Sequence, residues 1–139
     1  MRAGKLFGNT WLAMGLLAVS LTAGAEDVKV TLTGADEVPA VATQAKGEGT
    51  ITVADDMSVT GTVTTSGVDG IAAHIHLAEA GKNGPPVITL TKGEGGTWST
   101  PAGAKLTEEQ YKAFKAGQLY VNVHSAAHKS GEIRGQLKP

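Results

Sequence analysis

Apolar and polar residues alternate along most of the chain. Val28, Val30 and Leu32 are interleaved with Lys29, Thr31 and Thr33; Ile51 and Val53 continue the pattern, and Val59, Gly61 and Val63 resume it after Ala54-Asp55-Asp56. Further on come Ile71, Ala73, Ile75 and Leu77, the short run Val87 to Leu90, then Leu119, Val121 and Val123, and finally Ile133 and Leu137. Successive side chains of a strand point to opposite faces, so a period of two marks strands with one buried face. With a weak strand near Trp98, the pattern predicts about eight short strands separated by Gly, Asn, Asp and Pro turns. That is an all-β fold, a Greek-key β-sandwich or barrel of antiparallel strands. Gly34 to Lys46 reads as one long loop.

One segment departs from the period of two. Thr107-Glu108-Glu109-Gln110 has the form of a capping box, with Leu106 placed to staple against Tyr111 and Gly117 placed to end the helix. A short helix is therefore expected just before the seventh strand. Tyr111 and Phe114, three apart, read as core residues.

The first 25 residues differ from the rest. Arg2 and Lys5 precede the apolar run Trp11 to Leu21, and Ala23-Gly24-Ala25 supplies small residues for cleavage. This is the form of a signal peptide (1–25), which leaves a domain over 26–139 and predicts export to the periplasm or beyond. No stretch reaches the roughly 20 apolar residues of a bilayer-spanning helix, so no membrane span is expected after cleavage. The chain has 139 residues and a formal net charge of −1, which argues against a nucleic-acid partner. It has no Cys, which removes disulfides, thiolate metal sites and cysteine nucleophiles together. Beyond residue 25 the aromatics are Trp98, Tyr111, Phe114 and Tyr120, too few for a stacking platform. Protein partners and oligomeric state leave no mark in the sequence.

The candidate chemistry lies in four histidines in two places, His74 with His76 and His124 with His128. In the strand Gly70 to Ala78, the residues Ile71, Ala73, Ile75 and Leu77 take one face and His74 and His76 the other, about 6.6 Å apart along the strand. In Gln118 to His124, the residues Leu119, Val121 and Val123 take the core face, which turns Tyr120, Asn122 and His124 outward. If the two strands are neighbours, three imidazoles meet on the outer surface and can share an ion at nitrogen–metal distances near 2 Å. His128 lies in the following loop, where it can supply a fourth nitrogen. Asn122, Tyr120, Arg134 and Glu132 are the candidate residues around the ligands, since a ligating imidazole usually donates its second nitrogen to a partner. For Glu132 and Arg134 a structural ion pair or sheet-edge contact on the last strand is the plainer expectation. An all-imidazole set suits Cu(II) or Zn(II), and the order of divalent affinities favours copper.

Three separated motifs carry a resemblance. Ala73-His74-Ile75-His76, then Leu119-Tyr120-Val121-Asn122-Val123-His124-Ser125, then Gly131-Glu132-Ile133-Arg134-Gly135-Gln136-Leu137 together look like a CHRD domain, and Leu32-Thr33-Gly34 with Glu37-Val38-Pro39 fits that family's start. The resemblance implies a β-sandwich similar in architecture to copper/zinc superoxide dismutase, with His74, His76 and His124 as a metal site. Ala126-Ala127-His128-Lys129 resembles the histidine-bearing loop of some bacterial members. No further histidines and no aspartate-bearing loop stand ready for a second metal, so a mononuclear site is expected.

Three functions fit this reading. The first is an exported copper(II)-binding protein for metal buffering, delivery or resistance. The second is a superoxide dismutase-like redox enzyme at mononuclear copper. The third is an adhesive or structural module with incidental histidines.

Overall fold

The computed structural model describes Gly4 and residues 24–139. The predicted signal peptide, apart from Gly4, Gly24 and Ala25, lies outside the described residues. The strands are β1 (Ala25–Thr33), β2 (Lys46–Ala54), β3 (Val59–Ser66), β4 (Gly70–Leu77), β5 (Pro86–Thr89), β6 (Thr91–Lys92), β7 (Thr97–Ser99), β8 (Leu119–Ser125) and β9 (Ile133–Leu137); one helix, α1 (Glu108–Lys115), precedes β8. The predicted all-β architecture is present. The helix stands before the eighth strand because β6, at two residues, is too short to show any period.

All nine strands join one antiparallel sheet in the order β5-β4-β8-β9-β1-β2-β3-β7-β6. The sheet nearly closes on itself. The Leu90 amide, between β5 and β6, donates to the Ala73 carbonyl at 2.9 Å, and Lys92 Nζ donates to the Gly70 carbonyl at 2.7 Å. Inside lies the core the alternation predicts, including Val30, Leu32, Ile51, Val63, Ile75, Val121, Val123 and Ile133. Such a curled sheet removes the exposed edges that would otherwise invite pairing with other chains.

The helix forms as its sequence dictates. Gln110 N donates to Thr107 Oγ1 at 3.1 Å, and Thr107 N donates to Gln110 Oε1 at 2.9 Å, so the reciprocal cap is complete. Gly117 follows at φ +73°, the left-handed stop that glycine adopts without strain. Leu106, Ala113 and Phe114 are buried in the core, and Tyr111 packs against it. Among the described residues no helix is long and apolar enough to cross a membrane.

Strand β8 lies between β4 and β9, and this placement builds the site. Across β4 and β8, His74 pairs with Asn122, His76 with Tyr120 and Ala72 with His124; across β8 and β9, Asn122 pairs with Arg134 and Tyr120 with Gln136. The pattern predicts Tyr120 and Asn122 on a face open to solvent. Both are buried instead, because three loops fold over that part of the sheet. Gly84 N donates to the Tyr120 hydroxyl at 3.2 Å, Asn122 Nδ2 to the Ser130 carbonyl at 3.5 Å, and Asn83 Nδ2 to the Val38 carbonyl at 2.8 Å.

Candidate metal centre

His74, His76 and His124 come together on the outer side of β4 and β8. Each offers one ring nitrogen, and these three atoms lie within 4.8 Å of one another. The ring centroids are 5.4 Å apart for His74 and His76, 4.9 Å for His74 and His124, and 5.9 Å for His76 and His124. An ion bound at about 2.0–2.1 Å from each nitrogen brings such atoms to separations of about 3–4 Å, so the cluster needs only a small contraction. Position in the sequence alone makes the pairing of these strands invisible, since His74 and His124 are 50 residues apart.

Backbone carbonyls set the tautomers. His76 Nδ1 lies 2.8 Å from the Gly84 carbonyl, and His124 Nδ1 lies 2.8 Å from the Lys129 carbonyl. A carbonyl only accepts, so both Nδ1 atoms carry the proton and both Nε2 atoms keep a lone pair. His124 Nε2 lies 3.0 Å from His74 Nδ1, which donates to it. His76 Nε2 is buried with no hydrogen-bond partner. A buried nitrogen lone pair without a partner costs free energy, and a cation at that atom relieves the cost.

His74 and His76 are also held toward the neutral form. Burial pushes the His74 imidazole below its ordinary value, and the neighbouring His124 and His76 push it further. Burial lowers His76 as well, against the opposing pull of the Gly84 carbonyl. Neutral imidazole is the form that binds metal.

The surrounding residues take distinct places. Tyr120 stacks on His76 with centroids 4.9 Å apart and planes 5° from parallel, and Arg134 Cζ lies 3.5 Å from the Tyr120 ring centroid. Asn122 is buried beside His76 and beside Glu37, an acid in the long loop. Glu37 is only 5% exposed, and burial pushes its carboxyl up to about 7 against the pull of Arg134 and Asn122. Among the described residues, Glu37 Oε2, Asn122 Oδ1 and His76 Nε2 are the buried side-chain polar atoms without hydrogen-bond partners.

Glu132 acts elsewhere. It accepts hydrogen bonds from Ser125 Oγ at 2.7 Å and Thr43 Oγ1 at 2.8 Å, pinning two loops together. Of the two expectations for this pair, an ion pair is not formed, because Glu132 precedes β9 and turns toward Ser125. Arg134 donates instead to the Glu79 carbonyl, Gln136 Oε1 and Asn83 Oδ1.

His128 is not part of the three-nitrogen group. Its backbone closes the loop, with its N–H donating to Ser125 Oγ and its carbonyl accepting from Ser125 N and Gly131 N. Together with Glu37, Ser130 and Gly131 it lines a cavity of about 380 Å³ under the long loop. Sequence reasoning missed the Gly84 and Lys129 carbonyls, which every residue type can supply, and Glu37. The available signal for Glu37 was a carboxylate two residues before a proline in Glu37-Val38-Pro39.

A curled antiparallel sheet bearing three convergent imidazoles defines a β-protein with a histidine cluster compatible with metal binding. Residues 28–137 match the CHRD domain family, and the chain belongs to it. No curated protein and no solved structure matches the chain.

Proposed function

We propose that this chain is an exported copper(II)-binding protein that holds one ion on His74, His76 and His124 and serves metal buffering, delivery or resistance. The observation that carries the reading is the partnerless, buried Nε2 of His76 beside the 3.0 Å contact of His74 Nδ1 with His124 Nε2. The donor set is three neutral nitrogens, which suits Cu(II) above Zn(II) in the general order of affinities. Once bound, the ion supplies a positive centre able to hold further ligands. The chain's own contribution is to fix two of the three rings through backbone carbonyls, so loading requires only that His74 move its proton from Nδ1 to Nε2. Export rests on the form of the first 25 residues.

Copper titration followed by paramagnetic resonance tests this. The expected result is one Cu(II) per chain with hyperfine splitting from imidazole nitrogen. A spectrum matching copper free in buffer at all ratios contradicts it.

A second reading, a superoxide dismutase-like redox enzyme, draws support from the half-buried state of His74 and His124, which leaves the cluster reachable by a small molecule. Turnover by the copper-loaded protein above that of free copper supports this reading, and a rate no higher removes it.

A further inference from the structure

The side chain with the most unusual surroundings is Arg134. It is 1% exposed, yet the acceptors that hold it are all neutral: the Glu79 carbonyl and Gln136 Oε1 at 3.2 Å each, and Asn83 Oδ1 at 3.4 Å. A buried cation ordinarily takes a carboxylate partner, because its desolvation is costly. Here the guanidinium lies over the Tyr120 ring instead, an arrangement in which ring electrons face the charge. Glu37 feels its charge, but Glu37 Oε2 has no hydrogen-bond partner.

The topology gives that charge a direction. Arg134 is on β9 and His76 on β4, with Tyr120 on the intervening β8. The phenol ring therefore stands between guanidinium and imidazole, 3.5 Å from the first and 4.9 Å from the second. His76 cannot rotate away, since its Nδ1 is tied to the Gly84 carbonyl and Tyr120 is tied to the Gly84 amide. A cation fixed behind a ligand disfavours a doubly charged ion more than a singly charged one.

We propose that Arg134, acting through the Tyr120 ring, is a positioning residue that sets which charge state of the bound metal the site prefers, and brings Cu(I) within reach of a site whose ligands favour Cu(II). The proposal rests on the copper reading above. The Tyr120 ring spaces the guanidinium from the His76 imidazole, and at an effective dielectric constant of about 20 a unit charge at about 10 Å alters the relative binding of +2 and +1 ions roughly tenfold. In the test the electron comes from the titrating reductant, one per Cu(II), giving Cu(I).

The test is the midpoint potential of the copper-loaded protein, with separate Cu(I) and Cu(II) competition titrations. Arg134→Met keeps the bulk and removes the charge. It is expected to shift the ratio of Cu(II) to Cu(I) affinity about tenfold toward Cu(II), lowering the potential by about 59 mV for one electron. Arg134→Lys, which keeps the charge, is expected to restore most of the shift. If the Met variant does not fold, Arg134→Gln serves, since its amide can still bond the Glu79 carbonyl. A folded, copper-loaded Met or Gln variant with the parent potential overturns the proposal, and so does a Lys variant that shifts as far as Met. Absence of nitrogen-ligated copper in the parent protein overturns the copper reading and this proposal with it, so the two failures are told apart by the parent spectrum.

Discussion

Two regions of one sheet's outer surface, written in the same alternating pattern, end in opposite states. On β2 and β3 the outward residues Glu48, Thr60, Thr62 and Thr64 are exposed, and their role is to keep a solvated face. On β4 and β8 the outward residues His76, Tyr120 and Asn122 are buried. The strands do not make the difference. Two loops do, by folding over one half of the surface and supplying Gly84, Lys129 and Ser130 as hydrogen-bond partners, with the long loop tied to them through Asn83 and Val38. A polar face becomes a site when something covers it, since only then do desolvation and fixed tautomers separate a ligand from a solvated side chain.

The sharpest contrast between the regions comes from deleting outward side chains in each. His74→Ala with His76→Ala is expected to weaken Cu(II) binding by more than about 100-fold, because ligands are lost outright where loss of a mere supporting group costs about 10–100-fold. Thr50→Ala with Thr62→Ala is expected to leave copper affinity unchanged and stability within about 0.5 kcal/mol. Competition titration and thermal unfolding of both pairs check this.

Two glycines sharpen the comparison next. Gly131 has φ +128°, and a methyl group there would collide with Glu37 Oε2 and press on Asn122 Nδ2. Gly131→Ala is expected to cost about 2–4 kcal/mol and to disturb the His76 resonances. Gly81, in the loop at φ +82°, has open space around it, so Gly81→Ala is expected to cost only about 1 kcal/mol from the backbone. Chemical denaturation of the two variants measures the difference.

A smaller effect separates the covered acid from surface acids. Glu37 holds its proton to about pH 7 in the fold, while the unfolded chain releases it near its ordinary 4.5. The folded state thus binds more protons between these values, and stability falls as pH rises through that window. Glu37→Gln removes the fall. It is expected to match the parent near pH 4.5 and to exceed it at pH 8 by on the order of 1–3 kcal/mol. Stability curves at a series of pH values would show it; a difference constant with pH contradicts the burial argument.

His74 and His76 titrate the other way. Their values are lowered on folding, so the unfolded chain takes up protons first as pH falls below about 6.5, and both stability and metal affinity decline in acid. Copper affinity measured from pH 8 downward is expected to hold level to about 6 and then drop. An affinity flat to pH 4 contradicts imidazole ligation.

Much of the architecture was legible because strands and helix caps have local signatures. Val28, Val30 and Leu32 alternate with polar neighbours for the same reason they pack inward, and Thr107 with Gln110 announces a helix start in four letters. The parity of His74, His76 and His124 was legible too. Their convergence required β4 and β8 to be neighbours, and nothing local encodes strand order. The cover over the site was not legible, since Gly84 and Lys129 act through carbonyls that carry no side-chain identity. Gly81 to Pro86 carries only the composition of a turn, and Glu37 lies in a segment that reads as one long loop.

The central claim is that three particular nitrogens share one ion. Long-range proton–nitrogen NMR of the imidazoles, recorded as diamagnetic zinc(II) is added in place of copper, reads those atoms individually. The account predicts that one equivalent moves His74 Nδ1, His76 Nε2 and His124 Nε2 into the metal-bound range, while both His128 nitrogens stay where they were. Zinc-bound shifts on His128, or a His76 Nε2 that does not respond at saturation, would contradict it.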